Sequence, residues 1–462
     1  NAGASYEIDQ SIRFNDNDSP RLYRTVGTAT SRKTMTFSWW MKRGNITLGA
    51  EAKLFAANGS NDDQIAIETG APDTIRFYLA GTTAAKFRPN AVLRDPSAWY
   101  HIVIALDTTQ STSTDRVKIY YNGVQQTDFA EETYPSLNYQ TLGFNYTGAA
   151  LGIGHRAWAS PASFFDGYFA EINFIDGTAA APTAFGEFND DGVWIPKAYS
   201  GAYGDQGYYI TGATAGDLGE DFSGNNNDFT SAGLTTADQM LDTPTLNYPT
   251  LNSAVIYQSG LLLSDGNLDA FGSSGSGWNL IPATMQIPST GKWAFECTIL
   301  SSSGYIMIGF ASAKDINNFQ GSGKYFSLMQ NAGWLYNTET NKRVNGSNTN
   351  SGGLAGLTTN DVVECMIDND AGTMTFLKNG SAYASLSGLN PLTQPAITVY
   401  TNGAYRAKVD FGQIDYVPSD SSYSAINSST LPTATVTDGS KYFQSTLYEG
   451  NGSTQSIDQD GN

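Results

Sequence analysis

An all-β chain, built as two consecutive antiparallel β-sandwiches of jelly-roll-like kind, is the fold class that the sequence predicts. The first observation is residues 99–127, WYHIVIALDTTQSTSTDRVKIYYNGVQQT. Tyr100, Ile102, Ile104 and Leu106 alternate with His101, Val103 and Ala105, and Val117, Ile119 and Tyr121 alternate with Lys118 and Tyr120. A period of two in β-branched and aromatic residues marks strands, because successive strand side chains point to opposite faces. The run stops at Asn122-Gly123, a pair that tolerates the positive φ angles of a type I′ hairpin turn. The second observation is that the same grammar returns at 361–383, DVVECMIDNDAGTMTFLKNGSAY, and stops at Asn379-Gly380. The third is composition: 15% charged residues, 12% aromatics and 48 glycines suit strands and turns better than long helices or disorder.

Length and charge narrow the function classes. A chain of 462 residues exceeds one ordinary core, so two or three domains are expected. A net charge of −19 argues against nucleic acid and against anionic membrane surfaces, both of which call for a basic face. No apolar run is long enough to span a bilayer as a helix, so membrane insertion is not expected. Cys297 and Cys365 each share a strand face with apolar neighbours, while Glu296 and Glu364 alternate to the outside. If those strands lie in opposite sheets they are roughly 10 Å apart. That is beyond the about 7 Å Cα spacing a disulfide can bridge, so two buried free thiols are expected.

Taken in order, residues 5–24 read as an opening strand region broken by an Asp/Asn/Pro turn at 15–20. Residues 33–43 form a strong strand with Met35, Phe37 and Trp39 on one side, and short strands follow at 54–57, 64–68 and 74–80. After the 99–127 hairpin come a strand at 150–154, a loop at 155–164 and a strand at 165–175. Regular short strands without intervening helices indicate a sandwich rather than alternating β and α units. The succession TFSWWMKR, WYHIVIALD, VKIYYNG and GYFAEINFIDG resembles the laminin G-like, concanavalin A-like lectin/glucanase family over roughly residues 5–180. The resemblance implies a sandwich, and it is weak for activity.

Residues 182–250 are less regular. The stretch DFSGNNNDF at 221–229 resembles a turn found at the edge of laminin G-like domains, and 190–233 is expected to pack back on the first sandwich. The first domain is therefore drawn at 1–242, with 243–254, which holds Pro244 and Pro249, as an extended linker. The second domain is drawn at 255–417. Its GKWAFE, YIMIGFAS, FLKNG and final DFG segments resemble the SPRY family, which implies a bent sandwich that binds partners through loops at one end. Residues 418–462 read as a linker-like tail, with 442–457 similar to the first strand of a further module, so the natural protein is expected to extend beyond this sequence. The order of these modules around Trp-Ile-Pro-Lys-Ala-Tyr at 194–199 resembles structural proteins of marine tailed bacteriophages, fibre or appendage proteins in particular. That resemblance implies a place on the virion and a homo-oligomer, trimeric as many fibres are, although no coiled-coil heptads are present.

Chemistry-bearing residues are few. The glucanase relatives use Glu-x-Asp-x-x-Glu on one strand, where two carboxylates share acid and nucleophile roles. Here Glu7-Ile8-Asp9 and Glu171-Ile172-Asn173 fall short of it, and simple alternation puts Asp176 on the face opposite Glu171 unless a bulge intervenes. No enzyme is expected. His101 sits mid-strand and reads as structural. His155, Arg156 and Trp158 share one loop and could stack on and hydrogen-bond a sugar. Trp278, Trp334 and Tyr336 lie in or beside loops of the second module and are candidates for a partner-binding surface. Oxygen-rich turns, Asp16 and Asp18 foremost, raise calcium as a cofactor, although none has EF-hand spacing. The function expected is a non-enzymatic virion protein (tail fibre, head fibre or decoration) that recognises cell-surface glycan or other virion proteins. The alternatives are a secreted bacterial carbohydrate-binding adhesin or polysaccharide-degrading enzyme, and a purely architectural decoration without sugar affinity.

Overall fold

The computed structural model describes residues 6–46, 51–59, 61–157, 161–255, 260–275, 277–301, 305–318, 325–336, 341–344, 347–350, 356–401, 405–432 and 452–454. Among them, strands dominate and fall into two sandwiches, as expected. In the first, one sheet runs Val124–Gln125, Val117–Tyr121, Trp99–Asp107, Thr34–Arg43, Gly167–Asp176, Ser11–Phe14 and Gln239–Met240 from edge to edge, with Tyr208–Ile210 also paired to Gly167–Asp176. The facing sheet runs Phe129–Thr133, Ala85–Pro89, Ala71–Leu79, Asp62–Glu68, Ala52–Asn58, Ala150–Ile153, Arg21–Thr25 and Thr230–Ala232. Ile102, Ile104 and Leu106 meet Phe37, Trp39 and Phe55 in the core between them.

The other side of Trp99–Asp107 is buried too, because residues 180–203 fold over it. His101 lies between the rings of Trp40 and Trp194, at 4.8 and 5.9 Å. The Trp194 indole N–H donates to its Nδ1 at 3.0 Å, which leaves the proton on Nε2 for the Ser38 hydroxyl at 2.9 Å. Both Asn-Gly turns take the anticipated conformation, with φ of 46° and 78° at Asn122-Gly123 and of 50° and 75° at Asn379-Gly380.

The second sandwich pairs the sheet Leu261–Ser264, Asp269–Gly272, Tyr405–Asp410, Lys292–Ile299, Val362–Asp368, Thr373–Lys378 and Ser381–Ser387 with the sheet Trp278–Pro282, Gln394–Tyr400, Ile306–Ala311, Ala332–Tyr336, Asn341–Val344 and Ser347–Asn350. Both cysteines are buried and free. The route to that expectation needs correcting: their strands are neighbours in one sheet, not members of opposite sheets. Cys297 pairs with Val363 and Cys365 with Phe295, which makes the thiols diagonal neighbours. Glu364, expected outside, is buried as well, because residues 416–419, where the second domain meets the tail, close over it.

Two further stretches depart from expectation. Residues 243–254 are a strap packed between the sandwiches rather than a free linker. Thr243, Thr250 and Leu251 are buried, and the N–H groups of Leu251 and Asn252 donate to the carbonyls of Asn267 and Pro282 at 2.9 Å. The prolines keep the strap extended, and an extended buried chain must find hydrogen-bond partners on its neighbours. Residues 418–432 likewise pack on the second sandwich, where Ser424–Ala425 adds a parallel strand beside Trp293 and Ala294.

Candidate ligand-binding surfaces

On the strand Arg21–Thr25, Leu22 and Val26 beyond it point into the core, while Tyr23 and Thr25 point out. Tyr23 stands between Gly152 on one neighbouring strand and Thr230 on the other. Because Gly152 has no side chain, the His155 imidazole can lie directly over it; a Cβ there would come within 2.5 Å of Nε2. The result is a cleft of about 460 Å³ on the outer face of the sheet, lined by Arg21, Tyr23, Thr25, His155, Pro161 and Thr230 among others. Tyr23 is 39% exposed at its floor, and the Arg21 guanidinium sits 5.9 Å from the Tyr23 ring centre. Arg24 turns its guanidinium away, to the side-chain oxygens of Gln206 at 2.9 Å and Asn227 at 2.6 Å.

Of the three residues expected to act together in this loop, His155 and Arg156 are described. His155 is buried, and its Nδ1–H donates to the Arg156 carbonyl at 2.6 Å. Burial pushes its pKa down to about 4, with the nearby Arg21 charge adding to the effect, so the ring is a neutral wall. Arg156 closes the loop by a backbone bridge to Ala162, and Trp158 lies outside the described residues. The floor residue, Tyr23, carried no sequence signal beyond alternation in a charged strand.

In the second sandwich, Trp278 belongs to an aromatic group at the sheet ends. Its ring lies 5.2 Å from Tyr325, 5.1 Å from Tyr400 and 5.8 Å from Tyr305, and Tyr405 sits 5.4 Å from Tyr305. Tyr305 is the most open of them. Trp334 is no surface residue. It is buried with Met307, Ala311, Phe326 and Met329, under the short helix Ala313–Asn318 and the turn Phe326–Leu328, which cover this outer face of the sheet. It stands mid-strand opposite Gly309 rather than in or beside a loop. Tyr336 ends the same strand opposite Met307, and its side chain lies outside the described residues.

The carboxylates of the near-miss motif are held by structural bonds. A bulge does interrupt the pairing between Ala170 and Asn173, and Glu171 takes φ of 52° there. Its two oxygens accept the hydroxyls of Tyr209 at 2.6 Å and Tyr6 at 2.8 Å, and burial raises its pKa. Asp176 accepts the N–H groups of Thr30, Ser31 and Gln206 and the Asn145 amide. Asp16 and Asp18 are exposed on a short turn, where Asp18 accepts the Asn15 amide at 2.7 Å. Among the described residues no three His, Cys, Asp or Glu side chains gather to hold a metal ion.

Residues 14–182 match the family model of the concanavalin A-like lectin/glucanases superfamily, and residues 292–404 match that of the SPRY domain. The chain is a concanavalin A-like sandwich followed by a SPRY sandwich. Among solved structures it is similar to the SPRY domain of human HERC1, at 16% identity over 34% of this chain and 96% of that one, with a TM-score of 0.28. It is also similar to the PSpry domain of TRIM65, at 11% identity over 35% and 89% with a TM-score of 0.29. A third likeness is to the native heptameric SAP-like pentraxin from Limulus polyphemus, at 12% identity over 38% and 80% with a TM-score of 0.29. No match was found among curated proteins. Domains of these two kinds mediate binding to glycans or proteins, and the first superfamily takes in glucanases as well as lectins.

Proposed function

We propose that this chain is a non-enzymatic recognition protein on the outside of a bacteriophage particle, as a tail fibre, head fibre or decoration, and that its first sandwich holds a host-surface glycan. The observation that carries the glycan reading is the cleft of about 460 Å³ floored by Tyr23 and edged by Arg21, Thr25 and Thr230. A sugar needs a flat apolar ring for its C–H face and polar groups placed for its hydroxyls, and the cleft offers both. The aromatic group around Trp278 supplies a second surface, for glycan or for a neighbouring virion protein. The virion assignment rests on the order of the modules and on the 194–199 segment, whose Trp194 is fixed on His101. Repetition in a homo-oligomer would turn weak single contacts into avid binding. No calcium ion is part of this reading.

The experiment is a glycan array followed by titration of the selected oligosaccharide into wild type and Tyr23→Ala. Loss of about fivefold or more in affinity is expected for the variant, since an aromatic platform contributes on the order of 1 kcal/mol or more. An array without hits, or an unchanged affinity, would contradict it. The competing reading, a polysaccharide-degrading enzyme, is favoured by one observation, the strained backbone of Glu171 beside two tyrosine hydroxyls. A hydrolysis assay separates the two: no turnover is expected, and turnover abolished by Glu171→Gln would overturn the recognition reading.

A further inference from the structure

The cleft's charge is at odds with that of the chain. Acidic residues outnumber basic ones by 44 to 25, yet no Asp or Glu is among the cleft's described lining residues, and the Arg21 guanidinium stands at its floor. Arg21 bonds only the Ser19 carbonyl, at 3.1 Å, and forms no ion pair among the described residues. Most of the arginines that line the chain's strands are otherwise engaged: Arg13, Arg43, Arg76, Arg88 and Arg406 all meet carboxylates. Arg24, the other cation of this strand, is caged by the neutral side chains of Gln206 and Asn227 rather than by an acid. His155 is neutral and buried, so it adds no charge but keeps water off one wall.

From this placement we infer that the ligand of the first-sandwich cleft is an acidic saccharide, whose carboxylate or sulfate ester meets the Arg21 guanidinium while its ring lies on Tyr23. A guanidinium fork matches either anion with two parallel N–H bonds, and no carboxylate among the cleft's described lining residues opposes an anionic sugar there. The Thr25 and Thr230 hydroxyls, both exposed, complete the polar edge opposite Arg21. Since the Arg21 guanidinium stands over the Tyr23 ring, 5.9 Å from its centre, charge recognition and ring stacking act on one sugar residue rather than on two separate ones.

This inference rests on the glycan reading above, and its test keeps the two apart. The intact chain is titrated with a uronic-acid hexasaccharide, with the same hexasaccharide reduced at its carboxyls, and with the reduced form carrying sulfate esters. The acid or the sulfated form should bind about tenfold or more tightly than the reduced form, and the gap should close as salt is raised. Whichever charged form binds tighter names the source of the charge. Arg21→Gln should erase the gap by bringing the charged forms down to about the affinity of the reduced form, whereas Tyr23→Ala should weaken all three; a melting temperature close to wild type checks that each variant is folded. Equal binding of the charged and reduced forms overturns this inference and leaves glycan recognition standing. Binding of none of these forms, with neutral array glycans bound instead, also overturns it. Binding of no glycan at all sinks both.

Discussion

At the scale of single residues, three acids stand in a row across the outer face of the second sandwich, Glu364, Glu296 and Asp410, each directly opposite the next. Two of them each accept several hydrogen bonds. Glu364 accepts the Tyr416 hydroxyl, the Ser419 N–H and the Ser419 hydroxyl, and Asp410 accepts the N–H groups of Gly412, Ile414, Asp415 and Tyr416. Glu296 lies between them, and burial, together with the charges of Asp410, Asp415 and Glu364, pushes its pKa up to about 7. A pKa raised on folding means that the folded state holds the proton more tightly. The associated stability is full below the ordinary value of 4.5 and is lost as pH rises through about 7. Glu296→Gln is therefore expected to raise the melting temperature, with the gain growing from about pH 5 to about pH 8 and reaching on the order of 1 kcal/mol. Thermal melts at a series of pH values check this, and a gain that is flat or that shrinks with rising pH would contradict it. The alternation of FEC and VECM predicted that these glutamates share a face with their strands' outer side. It could not predict the lid over Glu364, because Tyr416 closes the second domain with no signal of its own and Ser419 lies in a tail whose composition reads as linker.

At the scale of elements, what alternation and turn chemistry can specify was legible, and what depends on a distant neighbour was not. The hairpins ending in Asn122-Gly123 and Asn379-Gly380 were readable because two residues with positive φ suffice to close them. The bulge at Glu171 was not, since any strand with Glu-Ile-Asn could run straight; it is the tyrosines of Tyr208–Ile210 and the opening segment that hold the carboxylate there. The turn between Leu261–Ser264 and Asp269–Gly272 is a further case. Asp265, Gly266 and Asn267 take φ of 58°, 63° and 64° in succession, and the turn plugs into the first sandwich. Asp265 pairs with Arg13 at 2.9 Å, the Tyr168 hydroxyl donates to the Gly266 carbonyl at 2.8 Å, and the Asn267 amide donates to the Gly44 carbonyl at 2.8 Å. A Cβ on Gly266 would meet the Tyr168 hydroxyl oxygen at 2.3 Å, in a left-handed conformation that already disfavours one. Gly266→Ala should therefore cost about 1–3 kcal/mol in chemical denaturation. A variant as stable as wild type would mean that the plug is not seated.

At the scale of the whole molecule, the two sandwiches share one body. A single hydrophobic cluster holds Trp40, Trp99 and Tyr168 of the first together with Leu263, Phe295 and Phe411 of the second. At their junction Lys42, fully buried, donates to the carboxylate of Asp242 at 2.7 Å, to the Asn247 side-chain oxygen at 2.8 Å and to the Tyr248 carbonyl at 2.6 Å. Removing one partner of such a pair leaves an uncompensated charge in the interior, so the junction behaves as a fixed joint rather than a hinge. The sequence showed two modules and their order, but the strap between them looked like a linker because its prolines and threonines are common to both kinds of segment. A fixed joint holds the Tyr23 cleft and the Trp278 aromatic group at a constant distance, which suits a protein that presents surfaces rather than one that closes on a substrate. The claim on which all of this converges is that Tyr23 is the floor of a glycan site. A crystal structure of the chain with the oligosaccharide selected by the array tests it most directly. The account predicts a sugar ring lying on Tyr23 with its polar groups on Arg21, Thr25 or Thr230; a sugar bound elsewhere, with this cleft unoccupied at saturating ligand, would contradict it.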